Sequence, residues 1–393
     1  MSIGAVRVGR SHADHRVLVQ QRPNSILLIT LLLLTLGLLA MSSAAVEISI
    51  DPLYYMKRQA VFVVAGILGL GLTVFIPVRF WYRSSWYLLM ASFALLLLVL
   101  IPGLGKVVNG SARWIDLGFF NLQPSELAKV FIIIYLAAFL ERRRDEVRQH
   151  WSGFVKPLGV IGAAVVLLHF EPDHGAMVIL IVTAFSMIFL AGARLHQFLL
   201  VLAFCVALVI TAAIKYPYVL ARFSSFMNPW AAEYVYGSGY QLTQALIAFG
   251  RGEWFGVGLG NSIQKLYFLP EAHTDFVLAI IAEELGLLGV ALVLGLYCWL
   301  VACGMQIGKL AERRGRLFEA YFAYGISLLF ATQALINIGV NTGLLPTKGL
   351  TLPFLSYGGA SLLVSCFMVG LLLRIQYETE LPETSSRQAS GAV

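Results

Sequence analysis

Residues 26–46 read ILLITLLLLTLGLLAMSSAAV, and no charged side chain interrupts them. At 1.5 Å per residue such a run makes a helix about 30 Å long, the thickness of a bilayer's hydrocarbon core. Arg7, Arg10, Arg16 and Arg22 precede it, and Ser42-Ser43-Ala44-Ala45 follow its core. That order imitates a secretory signal. The run is longer than the 7–15 residues typical of a signal's apolar region, about half its length, so it reads as an uncleaved first span.

Further apolar runs follow at 59–78, 86–102, 124–140, 157–170, 175–193, 197–214, 274–302, 318–342 and 354–374. Together they predict an all-α polytopic membrane protein of about ten transmembrane helices. Composition agrees. Of the 393 residues 59% are apolar and 12% charged, with a mean hydropathy of +0.80. A soluble surface needs about twice that charge, and only closed backbone structures satisfy themselves in lipid.

The net charge of +7 raises the question of nucleic acid. The basic residues lie in short loops between apolar runs, a topology signal, which excludes that partner class. The N-terminal segment, the loops holding Arg79 and Arg83, Arg142 to Lys156, Arg194, and Lys309 to Arg316, and the C-terminal Arg374 and Arg387 contain 18 of the 28 Lys and Arg. The opposite loops hold nine. Both termini are therefore expected in the cytoplasm, with tails at 1–24 and 376–393 flanking a membrane domain at 25–375. The connection 215–273 then faces outward. It is rich in Gly and aromatic residues, reads as ordered, and predicts a short amphipathic helix around Tyr240–Phe249. Cys205, Cys298, Cys303 and Cys366 form no CxxC pair and read as free thiols in helices.

Three segments bring chemistry to the outer side. The first is LPEAHTDF, 269–276, at the start of the eighth run. Thr274 or Asp275 there fits a helix N-cap, and Asp275 equally fits a catalytic carboxylate; spacing leaves both open. Glu283 and Glu284 follow about 12–14 Å further along the helix. Acids at that depth are expected to be structural, with a buried Ser, Lys or Arg as partner. The second is PTKGLTLPFLSYGG, 346–359, whose prolines and glycines imply a fixed non-helical path. Lys348 is its one charge. It fits a solvated surface group or a point-charge binder of phosphate. The third is NGSARWIDLGFFNLQPSELAK, 109–129. Pro124 suits the first helical turn, and Glu126 and Lys129 are placed to pair at i,i+3. The glycines at 250, 252, 256, 258 and 260 fit no phosphate-loop pattern and read as turns.

These three segments, with GSGYQLTQALIAFGRGEWFGVGLGNSIQK at 237–265, resemble the SEDS family of peptidoglycan polymerases over nearly the whole chain. PTKGLTLP and the tail LLRIQYE resemble its cell-division branch more than its rod-elongation branch. The resemblance implies that Asp275 is the essential acid and that the substrate is lipid II, a disaccharide-pentapeptide on undecaprenyl diphosphate. It implies a class B penicillin-binding transpeptidase as partner, other membrane proteins of the divisome, and a place in the bacterial inner membrane at the septum. Family members usually read QPDLG where this chain has Glu171-Pro172-Asp173-His174-Gly175, and an acid where it has Tyr267.

The chemistry is consistent with one dominant carboxylate. A diphosphate leaves without protonation, so one base suffices to take the proton from the acceptor sugar's 4-hydroxyl. Glycosidases, by contrast, need a pair of acids. Lys348 and Arg113 are the candidates to meet the developing negative charge. His273, Glu271 and Ser356 join them as substrate-binding candidates. No ligand cluster specifies a metal, and a divalent cation, Mg or Mn, is left open. Two other classes fit many of the same features: a lipid II flippase, and a non-catalytic division scaffold. The first predicts repeated broken helices and a midplane site; no inverted repeat is visible. The second predicts that Asp275 only caps a helix.

Overall fold

The computed structural model describes residues 22–44, 54–108, 111–118, 120–215 and 224–381. Its long helices coincide one for one with the ten apolar runs. In chain order they are α1 (Arg22–Ala44), α2 (Tyr54–Phe75), α4 (Ser85–Leu100), α5 (Pro124–Arg142), α7 (Trp151–Phe170), α8 (His174–Leu190), α9 (Leu195–Lys215), α11 (Val277–Arg313), α12 (Leu317–Asn341) and α13 (Gly359–Glu380). Short helices α3 (Val78–Arg83), α6 (Arg144–Gln149) and α10 (Tyr240–Gly252) lie between them. Among the described residues, six helices have both the length and the hydropathy to cross a membrane: α1, α2, α7, α11, α12 and α13. α4 and α8 are as apolar but shorter. α5 carries Glu126, Lys129 and Glu141 within its length.

α12 is the hub. It packs against α11, α5, α8 and α13, and α10 touches it as well. One large apolar core runs through these helices. A smaller cluster of Ala245, Ala248, Leu269, Ala272, Phe276, Ala279, Ile280 and Val340 fixes α10 beneath the start of α11. The expected amphipathic helix is thus present and buries its apolar stripe.

Four features depart from the sequence reading. The segment 105–122 is not plain loop. It forms a three-stranded antiparallel sheet of β1 (Gly105–Val108), β2 (Ser111–Asp116) and β3 (Asn121–Leu122), pinned by a 2.9 Å ion pair between Lys106 and Asp116. Alternation there is too short to register as strand. α7 starts at Trp151 and tolerates Pro157 inside it. Residues 354–358 remain non-helical, and α13 begins only at Gly359.

The fourth is a break in α11. Gly286 takes φ 66° and ψ −163°, a region open essentially to glycine alone. The backbone groups freed by the break are paired by the segment after α10. Val257 and Gly258 N–H donate to the Glu283 and Glu284 carbonyls at 3.0 and 3.1 Å, and Leu287 and Leu288 N–H donate to Glu253 and Trp254 at 2.9 and 3.2 Å. Irregular backbone at membrane depth is tolerated only with such partners. A Cβ on Gly256 would lie 2.1 Å from the Glu284 carbonyl oxygen, and one on Gly252 would lie 1.8 Å from that of Ala282. Two of the glycines read as turns are therefore there for close approach.

The break also places Glu283 and Glu284 in a buried cluster. Glu283 accepts from Arg251 at 2.6 Å, from the Ser262 hydroxyl, and from Ile263 and Gln264 N–H at 3.0 and 3.2 Å. Glu284 accepts from the Ser43 hydroxyl and from Lys265 at 3.3 Å. Both acids have the Ser, Lys and Arg partners expected for carboxylates at that depth. Gly286 and Gly289 are buried and Gly295 is exposed. Cys298, Cys303 and Cys366 are free thiols, and the side chain of Cys205 lies outside the described residues.

Candidate active site

Asp275 stands on the turn that leads into α11. The chain tightens around the Glu271 carbonyl, which accepts from the Thr274, Asp275 and Phe276 N–H groups at 3.2, 3.1 and 3.3 Å. The Thr274 hydroxyl donates to the Glu271 carboxylate at 2.8 Å. Phe276 is the N-cap residue of α11, and neither Thr274 nor Asp275 caps the helix. Asn341 of α12 does so instead, its Oδ1 accepting from Ala279 N–H at 3.2 Å. The capping reading of Asp275 therefore fails, and its carboxylate is left for other work. Among the described residues no hydrogen bond reaches that carboxylate. Burial pushes it up to about 7, the Glu271 charge adds to this, and Arg113 opposes it. A carboxylate there is poised to exchange a proton near neutral pH.

The Pro346–Gly359 loop passes over Asp275. A Cβ on Gly349 would come within 2.9 Å of the Asp275 Oδ2. Only a residue without a side chain lets the backbone pass so close. Three braces fix the loop. Asn337 donates to the Leu350 carbonyl at 2.5 Å, Gln333 donates to that of Thr351 at 3.1 Å, and Tyr357 N–H donates to the His273 carbonyl at 2.9 Å. Gln333 in turn lies 3.5 Å from Lys129, which pairs with Glu126 at 2.8 Å. The i,i+3 pair expected from sequence is present, and it is buried.

Arg113, on β2, reaches across to the turn between α7 and α8. It donates to the carbonyls of Glu171, at 3.3 Å, and Pro172. Its charge is felt by both Asp275 and Glu171. Lys348 lies within electrostatic reach of His174 in the same corner. Glu171 is fully buried, neither carboxylate oxygen has a hydrogen-bond partner among the described residues, and burial with the neighbouring Asp173 charge raises it to about 8. Asp173 is the N-cap of α8. It accepts from Ala176 N–H at 3.1 Å and is held by Gln123 and Ser125 at 3.1 and 2.8 Å.

The structure thus brings Asp275, Glu271 and Arg113 within electrostatic reach of one another, with Lys348 next to the Gly349 that overlies Asp275 and His273 within reach of Glu271. The His273 ring lies between Tyr55 and Tyr357, at 5.2 and 5.9 Å between centroids. Burial lowers its pKa, against the Glu271 charge. Ser356 stands apart in role. It is buried, its hydroxyl accepts from Leu352 N–H at 2.8 Å, and its carbonyl accepts from Gln59 at 3.3 Å. It holds the loop's shape. Sequence reasoning passed over Asn337, Asn341 and Gln333. Their signal was available: polar residues at four-residue steps inside an apolar run line one helix face.

The family model described as "Cell cycle protein" (FTSW_RODA_SPOVE) matches residues 24–381, nearly all of the described chain. The chain belongs to the FtsW/RodA/SpoVE family, the SEDS proteins. A curated relative from Hahella chejuensis, "Probable peptidoglycan glycosyltransferase FtsW", is 52% identical over 370 residues, covering 91% of this chain and 92% of the relative. One of the same name from Pseudomonas fluorescens is 52% identical over 353 residues, covering 89% and 86%. A chain from a peptidoglycan synthase complex that coordinates polymerization and crosslinking superposes with a TM-score of 0.76 at 28% identity, covering 91% and 98%. The rod shape determining protein RodA of Thermus thermophilus superposes at 0.67 and 28% identity, covering 91% and 97%. The SEDS membership expected from four sequence segments is thereby met, and the likeness to FtsW proteins agrees with the division branch.

Proposed function

We propose that this protein polymerises lipid II into glycan strands at the outer face of the bacterial inner membrane during septation. The observation that carries the reading is Asp275: a carboxylate freed from capping, raised to about 7 under the pull of Arg113, and overlain by a glycine-opened loop in which Lys348 precedes that glycine.

In this reading the Asp275 carboxylate accepts the proton of the acceptor sugar's 4-hydroxyl as its oxygen attacks the anomeric carbon of the donor. The C–O bond to the diphosphate breaks, the configuration inverts, and undecaprenyl diphosphate leaves with the electron pair. Arg113 and Lys348 are assigned to meet the charge that develops on the leaving group. Glu271 tunes Asp275 by repulsion and ties the turn. His273, neutral at working pH by its lowered pKa, offers its ring as a wall beside Tyr55 and Tyr357. Ser356 acts through the loop it closes. Among the described residues no three or more His, Cys, Asp or Glu side chains gather to hold a metal. The acids here suit a divalent cation, Mg or Mn, only as one carried in with the diphosphate.

A class B penicillin-binding transpeptidase and other membrane proteins of the divisome are the partners this reading requires. The likeness to a chain from a synthase complex supports the first.

The test is glycan-strand formation from lipid II in detergent micelles, with and without the transpeptidase. Asn keeps the shape of Asp275 but cannot take the proton. Wild type is expected to make long strands, and Asp275→Asn to fold, bind the partner and make none. Micelles have no leaflets, so a flippase would be inert there. Strand formation by Asp275→Asn at near-wild-type rate would sink the assignment of the base. An inert wild type that moves lipid II across vesicles would sink the enzyme.

A further inference from the structure

The end of the bundle opposite the site carries two arginines held in an arrangement that no carboxylate accounts for. Arg148, in α6, donates through Nε to the Ala191 carbonyl at 3.2 Å. Arg194, in the α8–α9 turn, donates through Nε to the Arg148 carbonyl at 3.2 Å. Backbone bonds thus fix both side chains at the surface, Arg148 on the Ala191 carbonyl and Arg194 on the carbonyl of Arg148 itself, and among the described residues no hydrogen bond takes their terminal nitrogens. Gly192, at φ +98°, makes the approach possible, since a Cβ there would lie 3.1 Å from the Arg148 Nε. The acid nearest in sequence, Glu146, is spent on Arg143 and Lys156. Among the described residues no ion pair neutralises Arg148 or Arg194. Two preorganised and uncompensated guanidinium groups suit an anion with several oxygens, a phosphate above all.

The same turn is the lip of an apolar groove of about 650 Å³. Leu190 and Leu195, which flank the turn, line it, and Phe185, Phe198, Val182 and Met305 continue its walls along α8, α9 and α11. Lys309 lies one helical turn beyond Met305, on the same face of α11 and toward the same end. Trp151 packs on His196 at 5.5 Å between ring centroids, close beside the lip. Aromatic rings of this kind mark the level of lipid headgroups. Cationic lip, interfacial aromatic and apolar channel follow one another in the order of a phospholipid's own parts.

We propose that this groove is a binding site for one anionic glycerophospholipid, its phosphate between Arg148 and Arg194 and an acyl chain along Phe185 and Phe198. The charge pattern selects the occupant. A neutral partner helix would leave the arginine pair uncompensated, whereas an anionic headgroup neutralises it. The site lies at the end read as cytoplasmic, where each basic residue near an anionic surface contributes about five-fold in lipid affinity. It is separate from the corner around Asp275 and does not depend on the polymerase reading.

The experiment is native mass spectrometry of the full chain released from mixed micelles holding equal amounts of phosphatidylglycerol and phosphatidylethanolamine. Wild type is expected to retain phosphatidylglycerol preferentially, with one molecule held most strongly. Arg148→Ala with Arg194→Ala should lower that retention by about 25-fold, while Arg79→Ala with Arg83→Ala, at the same end but away from the groove, should leave it unchanged. Val182→Trp fills the groove without touching charge and should also lower it. Each variant is compared only in its monodisperse fraction. Equal retention of the two lipids by wild type would overturn the proposal. So would unchanged retention in the double variant or in Val182→Trp, or a groove closed by a second copy of the chain.

Discussion

Asn337 holds Asp275 by the backbone: its Nδ2 donates to the Asp275 carbonyl at 3.0 Å. The same nitrogen donates to the Leu350 carbonyl at 2.5 Å, so one amide ties the acid's turn to the loop that covers it. Asn341, one turn on, repeats the bond to Asp275 at 3.0 Å and caps α11. Removing this buried amide leaves the Leu350 carbonyl without its donor, at about 1–3 kcal/mol, and the Asp275 carbonyl with Asn341 in place of two donors. Displacement of a catalytic group by about 1 Å costs on the order of 10²-fold in rate. Asn337→Ala is therefore expected to slow strand formation by about 10- to 100-fold. The midpoint of the pH profile should stay in place, because Asn337 touches the backbone and not the carboxylate. A shifted midpoint at unchanged maximal rate would contradict this role.

The pH profile itself carries a sign. The base must be ionised, and Asp275 sits at about 7. The rate should rise about ten-fold per unit below that value and level off above it. Glu271→Gln removes a repelling charge, so the midpoint should move to lower pH. Arg113→Ala removes an attracting charge, so it should move to higher pH. Glu171→Gln matches the neutral form of an acid raised to about 8 and should leave the rising limb unaltered. Rates at saturating lipid II across pH 5–9 check all three. A midpoint near the ordinary aspartate value of about 4 would remove the argument for a tuned base.

Lys348 and Arg113 are expected to act on the leaving group. Loss of one positioned donor beside a developing charge costs about 10²–10³ in rate. Lys348→Ala and Arg113→Ala should each show a loss of this size, at normal expression and with partner binding kept. Arg113→Lys should restore little, since a point charge cannot keep two carbonyls of the α7–α8 turn. Near-normal rates in both alanine variants would mean that other groups handle the diphosphate.

The helices were legible because lipid makes their signal long: twenty apolar residues cannot be mistaken for a loop. Glu126 and Lys129 were readable as a pair because helical spacing alone brings them together. Asp275 was visible, but its role was not, because an N-cap and a base share a residue type and a position. Only the Asn341 amide, 66 residues away, decides between them, and no local pattern predicts that contact. The break at Gly286 was equally hidden. A glycine inside an apolar run looks like any other, and the segment that makes the break tolerable lies at 253–258. The sheet at 105–122 was missed because its strands are too short to show alternation.

That break yields the last prediction. At Gly286 the backbone sits in a region where an L side chain costs about 1–3 kcal/mol in strain. A Cβ there would also lie 2.4 Å from the Gly256 nitrogen, and one on Gly256 would meet the Glu284 carbonyl oxygen at 2.1 Å. Gly286→Ala and Gly256→Ala should each lower the unfolding temperature in detergent markedly. Gly295→Ala, with nothing within 4 Å of the added carbon, should change stability by about 0.5 kcal/mol or less. α11 has one way to relieve the first two substitutions: to straighten at 286. Straightening would pull Glu283 and Glu284 from Arg251, Ser262, Ser43 and Lys265, leaving buried carboxylates short of partners, which is costlier than the strain itself. Destabilisation should therefore exceed the strain alone, and Glu283→Gln with Glu284→Gln in the Gly286→Ala background should recover part of it. Thermal unfolding of the four variants beside wild type checks this. Full stability of Gly286→Ala would mean that the break is not held by the contacts described.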